Sequence, residues 1–375
     1  MSDPTLLRQP PLIVLTAGGT GGHVFPAEAL AAELLERGLR LALVTDDRGN
    51  RWGGTLGSLE TYPVAASQML GRGILGKLKG VFTLTRGTMQ AKALFKRLRP
   101  AAVVGFGGYA SVPAVAAAVT GGLPVLLHEQ NAVLGRANRL FAGKVSRIAT
   151  SYEQVAALPA GAATVRTGMP VRPAIRALAD APYAPPAGDG PVRVLVLGGS
   201  QGARVFTDVL PAAFAALPEV LRARLDIAQQ ARPEDVERAR AAYAAAGLRA
   251  IVQSFFDDVP ERLAACHLLI GRSGASTVAE VTVARRPSVL VPYPFAADDH
   301  QTANARAVAA AGAGWLVGQE GFDAAAVAAL LADLLAAPER LAKAAEAAHT
   351  FALPDAAARL ADAVLDLLPV VEPVQ

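Results

Sequence analysis

Apolar runs and segments of helical period alternate along the first half of the chain. Leu12–Ala17 is nearly continuous apolar sequence with no polar alternation. That pattern belongs to a strand covered on both faces of a parallel sheet. Pro26–Arg37 follows with apolar residues at helical spacing, and Gly38 ends it. Leu39–Thr45, Ala101–Gly105 and Pro124–His128 repeat the strand pattern. This β-α-β rhythm predicts a doubly wound α/β sheet. Ala177–Gly190 is rich in Ala, Pro, Gly and Asp without a period, and reads as a linker or a loop at a domain edge. The pattern then restarts with a strand over Val192–Leu197, a glycine loop and a helix. Asp355–Leu368 carries apolar residues at helical spacing and predicts a final packing helix.

Two local echoes tie the halves together. Leu15–His23 resembles Leu195–Ala203, and Val103–Ser111 resembles Leu268–Ser276. Both fall where a strand meets a helix, so they predict two similar Rossmann-like parallel-sheet domains facing one cleft. A length of 375 residues suits two domains. The longest uncharged stretch, Ala101–Leu127, has the length of a membrane span, but glycines and prolines interrupt it. It reads as strand, glycine loop, helix and strand. Met1–Pro11 lacks the basic start and apolar core of a secretory signal. Cys266 is the only cysteine, which excludes an internal disulfide framework and a cysteine zinc site.

The glycine loops carry the first chemical hint. A glycine turn after a strand lets a phosphate approach the backbone, and the following helix points free N–H groups and a partial positive charge at it. Gly18–Gly22 and Gly198–Gly202 both qualify, although either can equally be a tight turn needing positive φ. Neither ends in the Gly-Lys-Ser/Thr of a P-loop. Asp46 and Asp47 end the second strand, where an acid can hold a ribose, so a nucleotide-dependent oxidoreductase stays open. His23 follows the first loop at a helix N-terminus, a place that disfavours its protonation and suits a general base. A capping role fits the same position. His128-Glu129-Gln130-Asn131 ends a strand, the edge where open α/β sheets carry ligands.

In the second half, Gly271–Glu280 opens a helix with small residues, including Ala275, Ser276 and Thr277. Such a start admits a phosphate or sugar hydroxyl, and Glu280 has the chemistry to grip two ribose hydroxyls. Pro292–Gln301 presents Asp298, Asp299, His300 and Gln301 ahead of another helix. No Asp-x-Asp occurs in the sequence. Sugar-nucleotide enzymes that use a divalent ion often hold it with such a pair, so its absence points to charge stabilisation by helix ends and Arg. No metal and no cofactor are expected.

The net charge of +4 is unevenly spread. No acidic residue lies between Glu60 and Glu129, while Arg72, Lys77, Lys79, Arg86, Lys92, Lys96, Arg97 and Arg99 do. Apolar residues are interleaved with them. A basic amphipathic surface suits an anionic membrane, each cation near it contributing about 1 kcal/mol. Nucleic acid is disfavoured as partner because few aromatics are present for stacking. An ordinary solvated helix face is the plain alternative.

Taken together, five segments resemble the MurG family of membrane-associated GlcNAc transferases of peptidoglycan synthesis. They are Gly18–Pro26, Gly107–Ser111, His128–Asn131, Gly198–Ala203 and Arg272–Ala275, in the family's order across nearly the whole chain. The resemblance implies a GT-B fold. Residues 1–170 would form an acceptor- and membrane-binding domain and 171–352 a UDP-GlcNAc-binding domain. Residues 353–375 would form a packing helix that returns to the first domain. It implies inverting, metal-independent transfer of GlcNAc from UDP-GlcNAc to the muramyl 4-hydroxyl of undecaprenyl-linked lipid I, giving lipid II, at the cytoplasmic face of the bacterial plasma membrane. By motif position, Glu280 would hold the uridine ribose, Ser200 the diphosphate, and Arg172 another part of the donor. Phe256 would pack near uracil, although the family often has an aliphatic residue there. Asn131, Ala275 and Gln301 would contact the donor sugar. His300 stands where some members have glutamine, and its role is open. Thr20, Gly21 and Gly22 would face the lipid diphosphate. His23 is the first candidate base and Glu129 the second. A soluble UDP-sugar transferase with a small acceptor is the nearest alternative.

Overall fold

The computed structural model describes residues 10–18, 21–46, 53–66, 74–199 and 202–368. The chain divides into two compact units, Met1–Pro170 with Asp355–Gln375, and Val171–Pro354. The first unit holds seven strands: β1 (Leu12–Thr16), β2 (Arg40–Thr45), β3 (Glu60–Pro63), β4 (Ala102–Gly105), β5 (Val125–Glu129), β6 (Arg147–Thr150) and β7 (Thr164–Arg166). They pair in the order β3-β2-β1-β4-β5-β6-β7, all parallel. The second unit holds β8 (Val192–Leu197), β9 (Leu225–Gln230), β10 (Ala250–Gln253), β11 (Leu268–Gly271), β12 (Ser288–Leu290) and β13 (Gly314–Leu316). Their order is β10-β9-β8-β11-β12-β13, again parallel.

Strand order reverses between β1 and β4 in one sheet, and between β8 and β11 in the other. The two sequence echoes fall on these four strands. Each unit therefore places its echoed loops at the carboxyl edge beside the switch point, where open α/β sheets bind ligands.

The continuous apolar runs are explained by helices on both faces of each sheet. Ile13, Leu15, Leu41, Leu43 and Val104 pack on one side with the helices Gly21–Glu36 and Ala356–Leu365. Leu12, Val14, Ala42, Val44 and Val103 pack on the other with Ile74–Leu98 and Val112–Thr120. Alternate strand residues thus serve opposite cores. The last helix seals the first side through Leu360 and Val364, both fully buried. Burial of each such side chain contributes about 1.5–3 kcal/mol.

Strand boundaries lie within a residue or so of the sequence reading. The first helix begins at Gly21, five residues ahead of Pro26, because the end of the glycine loop supplies its first turn. Ala177–Gly190 belongs to the second unit and is tied to it. Tyr183 Oη donates to the His267 carbonyl at 2.8 Å, and Arg224 Nε donates to the Gly190 carbonyl at 2.7 Å. Among the described residues no helix is long and apolar enough to cross a membrane.

Gly87 sits inside Ile74–Leu98, where a Cβ would lie 1.9 Å from the Ala65 carbonyl oxygen. The missing side chain lets the segment after β3 lie directly on the helix, and Ala65 N donates to Gln90 Oε1 at 2.9 Å. Gly87→Ala removes a weak helix former, which alone stabilises by about 1 kcal/mol. The overlap with main chain outweighs this, since overpacking costs about 1–3 kcal/mol or more. Thermal denaturation should show a lower Tm for Gly87→Ala; an unchanged or higher Tm would contradict the close approach.

Candidate active site

In the first unit the site grows from the ends of β1, β4 and β5. Gly18 is buried at the end of β1, and a Cβ there would lie 2.5 Å from Ala110 Cβ. Thr20 lies outside the described residues. Gly21 and Gly22 form the first turn of the helix that carries His23. His23 Nδ1 lies 2.8 Å from the Phe106 carbonyl oxygen. A carbonyl oxygen only accepts, so Nδ1 carries the proton and donates. In the neutral ring Nε2 then keeps its lone pair. Gly107 and Gly108 follow with φ of +84° and +73°, and a Cβ on either would press within 3.3–3.4 Å of the imidazole. Two glycines in the left-handed region are what this close approach requires.

The strand-end motif divides into distinct roles. His128 is fully enclosed and Nε2 donates to the Gly168 carbonyl at 3.2 Å, while Nδ1 has no partner. Burial, with a smaller contribution from His23, pushes its pKa down to about 4 against the opposing Gly168 bond. Glu129 is also buried, and burial raises its pKa. Its Oε1 accepts from Asn131 N at 3.0 Å, and its Oε2 accepts from Gly135 N at 2.8 Å and Asn138 Nδ2 at 2.9 Å. This carboxylate is the anchor of the 129–138 loop. Asn131 lies at the mouth of that loop, half-buried. Asp46 ends β2 as a buried residue, and Asp47 lies outside the described residues.

In the second unit the site grows from the ends of β8, β11 and β12. Gly199 and Gly202 have φ of +75° and +66°, and a Cβ on Gly198 would lie 2.4 Å from Ala203 N. The two ends of the loop therefore close on each other ahead of the helix Arg204–Ala215. Ser200 lies outside the described residues. After β11 the chain turns at Gly274 into the helix Ala275–Val283, which carries Ala275, Ser276, Thr277 and Glu280. Arg172 donates twice to Glu280, from Nε to Oε1 at 2.9 Å and from a terminal nitrogen to Oε2 at 3.1 Å. A forked pair of this kind fixes the plane of both groups.

Gln301 Oε1 accepts from Tyr293 N at 2.9 Å and so braces the loop after β12. Asp298 and Asp299 both adopt positive φ at its end, and His300 Nδ1 donates to the Ala297 carbonyl at 2.7 Å. Phe256 lies differently from a ring open to a base. It is 2% exposed and capped by the Arg262 guanidinium at 4.1 Å, whereas Phe255 is 66% exposed.

Two participants had no role in the sequence reading. Arg272 is 8% exposed and donates to the Val291 and Pro292 carbonyls and to Gln319 Oε1, with no carboxylate among these partners. Burial lowers its pKa from the usual arginine value. Asn138 links Glu129 to the His128 carbonyl. Only the Arg-Ser-Gly-Ala motif signalled Arg272, and nothing local signalled Asn138.

The sequence profile of the glycosyltransferase family 28 N-terminal domain matches residues 13–150, and that of the family 28 C-terminal domain matches residues 193–360. Fold and profiles together define a two-unit glycosyltransferase of the GT-B class. The relative from Paramagnetospirillum magneticum is 57% identical over 96% of this chain and 98% of its own length, and that from Rhodospirillum centenum is 58% identical over 94% and 93%. Both are UDP-N-acetylglucosamine–N-acetylmuramyl-(pentapeptide) pyrophosphoryl-undecaprenol N-acetylglucosamine transferases, and the chain belongs to that family. The crystal structure of Acinetobacter baumannii MurG superposes with a TM-score of 0.79 at 30% identity, covering 95% of this chain and all of that one. The kitacinnamycin glycosyltransferase shares the fold, with a TM-score of 0.70 at 17% identity. Membership of this family removes the oxidoreductase alternative.

The buried His128 ties stability to pH. Its folded pKa of about 4 lies below the ordinary value of 6.5. Its contribution is therefore complete above pH 6.5 and is lost as pH falls toward 4, by about 3 kcal/mol in full. Urea denaturation should show midpoints falling through this window. His128→Asn has no proton to gain and should fall less between pH 7 and 4.5, whatever its stability at pH 7. An equal fall in both proteins would show that His128 is not the group responsible.

Proposed function

We propose that the protein transfers GlcNAc from UDP-GlcNAc to the muramyl 4-hydroxyl of undecaprenyl-linked lipid I, giving lipid II, by an inverting, metal-independent reaction. Near-full-length identity of 57–58% to relatives named for this transfer supports the donor and the acceptor. The observation that carries the mechanism is the Nδ1 bond from His23 to the Phe106 carbonyl. It leaves Nε2 as the basic nitrogen. The acceptor hydroxyl gives its proton to Nε2 as its oxygen attacks the anomeric carbon, and the bond from that carbon to the UDP oxygen breaks on the opposite face. Glu129 is the weaker candidate because main-chain and amide donors already occupy both of its oxygens.

On the donor side, Glu280 takes the ribose hydroxyls and the Gly198–Gly202 loop, with Ser200, takes the diphosphate. Arg172 and the N-termini of the helices after β8 and β11 stabilise the charge that gathers on departing UDP. Ala275, Ser276, Thr277, His300 and Gln301 serve the sugar end. Thr20, Gly21 and Gly22 serve the lipid diphosphate. The uracil contact is made by the main chain around Phe256 and by exposed Phe255 rather than by the buried ring. The lack of an Asp-x-Asp pair supports a reaction without metal.

The membrane-docking face is the helix Ile74–Leu98. Phe82 and Met89 are 70% and 68% exposed, and helical spacing puts them on one side with exposed Arg86 and Lys96. Val81 and Lys92 flank that side. Large exposed apolar residues set among cations suit an anionic leaflet. The side chains of Lys77 and Lys79 lie outside the described residues. The enzyme works at the cytoplasmic face of the bacterial plasma membrane as a peripheral protein, with no nucleic acid partner.

Transfer of labelled GlcNAc to a short-chain lipid I analogue should proceed with EDTA present, from UDP-GlcNAc and not from UDP-GalNAc or UDP-glucose. His23→Ala should lower turnover roughly 10²-fold or more, a general-base magnitude, with UDP affinity little changed. Loss of transfer in EDTA, or transfer to a small soluble acceptor alone, would sink the corresponding part of the reading.

Replacing Phe82 by Ser and Arg86, Lys92 and Lys96 by Glu should release the protein from anionic vesicles at moderate salt, as read by co-sedimentation. Retained binding would move the docking face elsewhere.

A further inference from the structure

We infer that Gln130 is a positioning residue for His23, presenting its amide oxygen to the Nδ1 proton beside the Phe106 carbonyl, so that a side-chain amide and a main-chain carbonyl together orient the ring. This deepens the catalytic reading of His23 and rests on it only for its consequence in turnover.

The argument starts from a conflict. The Gln130 amide group approaches His23 Nδ1 at 2.5 Å through Nε2, while Gln130 Oε1 is buried without a partner. His23 Nδ1 also lies 2.8 Å from the Phe106 carbonyl. That carbonyl has no second identity: it accepts, so Nδ1 donates. A donor nitrogen and an amide NH2 do not attract at 2.5 Å. The two ends of a carboxamide are told apart by their partners. Turning the Gln130 amide by half a rotation brings Oε1 to the Nδ1 proton. The same rotation gives Oε1, which has no partner in the other orientation, a donor, and moves the amide NH2 into the position the oxygen leaves. The Nδ1 proton then lies between two oxygens, one from the loop after β4 and one from the loop after β5.

The surroundings define what this holding arrangement does. Gly107 and Gly108 close on the ring from the β4 side. His128 faces it from β5 and stays neutral, with its pKa about 4. Glu129 is spent on Asn131, Gly135 and Asn138, and the Asn138 amide reaches the same Gly107. Both acceptors fixed on Nδ1, an amide and a peptide carbonyl, are neutral. Neutral acceptors orient an imidazole and select its tautomer without the added affinity for a second proton that a carboxylate partner gives. The base is thereby aimed and kept available near neutral pH.

The test reads His23 directly. Protein with 15N-labelled imidazoles, free of substrate, should show His23 protonated on Nδ1 in its neutral form. Gln130→Glu should raise the His23 pKa by at least one unit, because a carboxylate now faces the Nδ1 proton. Gln130→Leu keeps the volume and removes the acceptor. It should lower kcat about tenfold with KM for UDP-GlcNAc unchanged and melting close to wild type. An Nε2-protonated neutral His23, or a His23 pKa that does not move in Gln130→Glu, overturns the inference.

Kinetics separate this from the catalytic reading. If the acid limb of the kcat/KM profile rises with the His23 pKa in Gln130→Glu, both stand. If the pKa moves by resonance and the limb does not, Gln130 holds His23 but His23 is not the base.

Discussion

The hydrogen bond between His23 and the Phe106 carbonyl joins two turns that are far apart in sequence. It requires the first helix to begin inside the glycine loop, so that residue 23 points toward the end of β4. It requires β4 to leave the sheet through two glycines in the left-handed region, because any side chain there would meet the imidazole. It also fixes which ring nitrogen is basic. The switch point of the first sheet is thus more than a place where loops diverge. It is where the main chain of one strand dictates the protonation of a side chain from its neighbour.

Three of the buried or half-buried ionisable groups around the two switch points are handled in three different ways. Glu129 is surrounded by donors and organises a loop. Glu280 meets Arg172 in a forked pair that fixes the plane of both groups. Arg272 is enclosed among carbonyls and an amide, and its positive charge is left without a counter-ion among these partners beside the start of the helix Ala275–Val283. A buried cation held by carbonyls, an amide and the ring faces of Phe206 and Tyr293, with no carboxylate among these partners, leaves a positive field at the strand edge. That field and the start of the helix Ala275–Val283 carry the same sign.

The fold was largely legible in the residues because parallel strands covered on both sides are written as unbroken apolar runs. The echoes Leu15–His23 with Leu195–Ala203 and Val103–Ser111 with Leu268–Ser276 proved informative because they mark equivalent strands in the two sheets. The start of the first helix was misread because glycines carry no helical signal and the tertiary bond of His23 supplies it. The site was legible as motifs but not as partnerships. Arg172 and Glu280 lie 108 residues apart, and nothing in either neighbourhood names the other. For Phe256 the family motif implies a place near uracil, and no motif signals that Arg262, one helical turn into the following helix, covers the face of its ring. Gln130 was visible as one letter of a strand-end motif. Its significance depends on a main-chain oxygen, which no side-chain pattern encodes.

The helix Ala356–Leu365 packs on the helix Gly21–Glu36 and completes a core whose other walls come from the first half of the chain. The second unit, by contrast, is a single uninterrupted stretch. During synthesis on a ribosome the first-made unit therefore waits, with the surface that Leu360 and Val364 will cover still open, until the helix Ala356–Leu365 emerges. The later-encoded unit can close before it. Order of synthesis and order of completion run in opposite directions, and a chain that stopped at Pro354 would have finished its second unit and left its first without a lid.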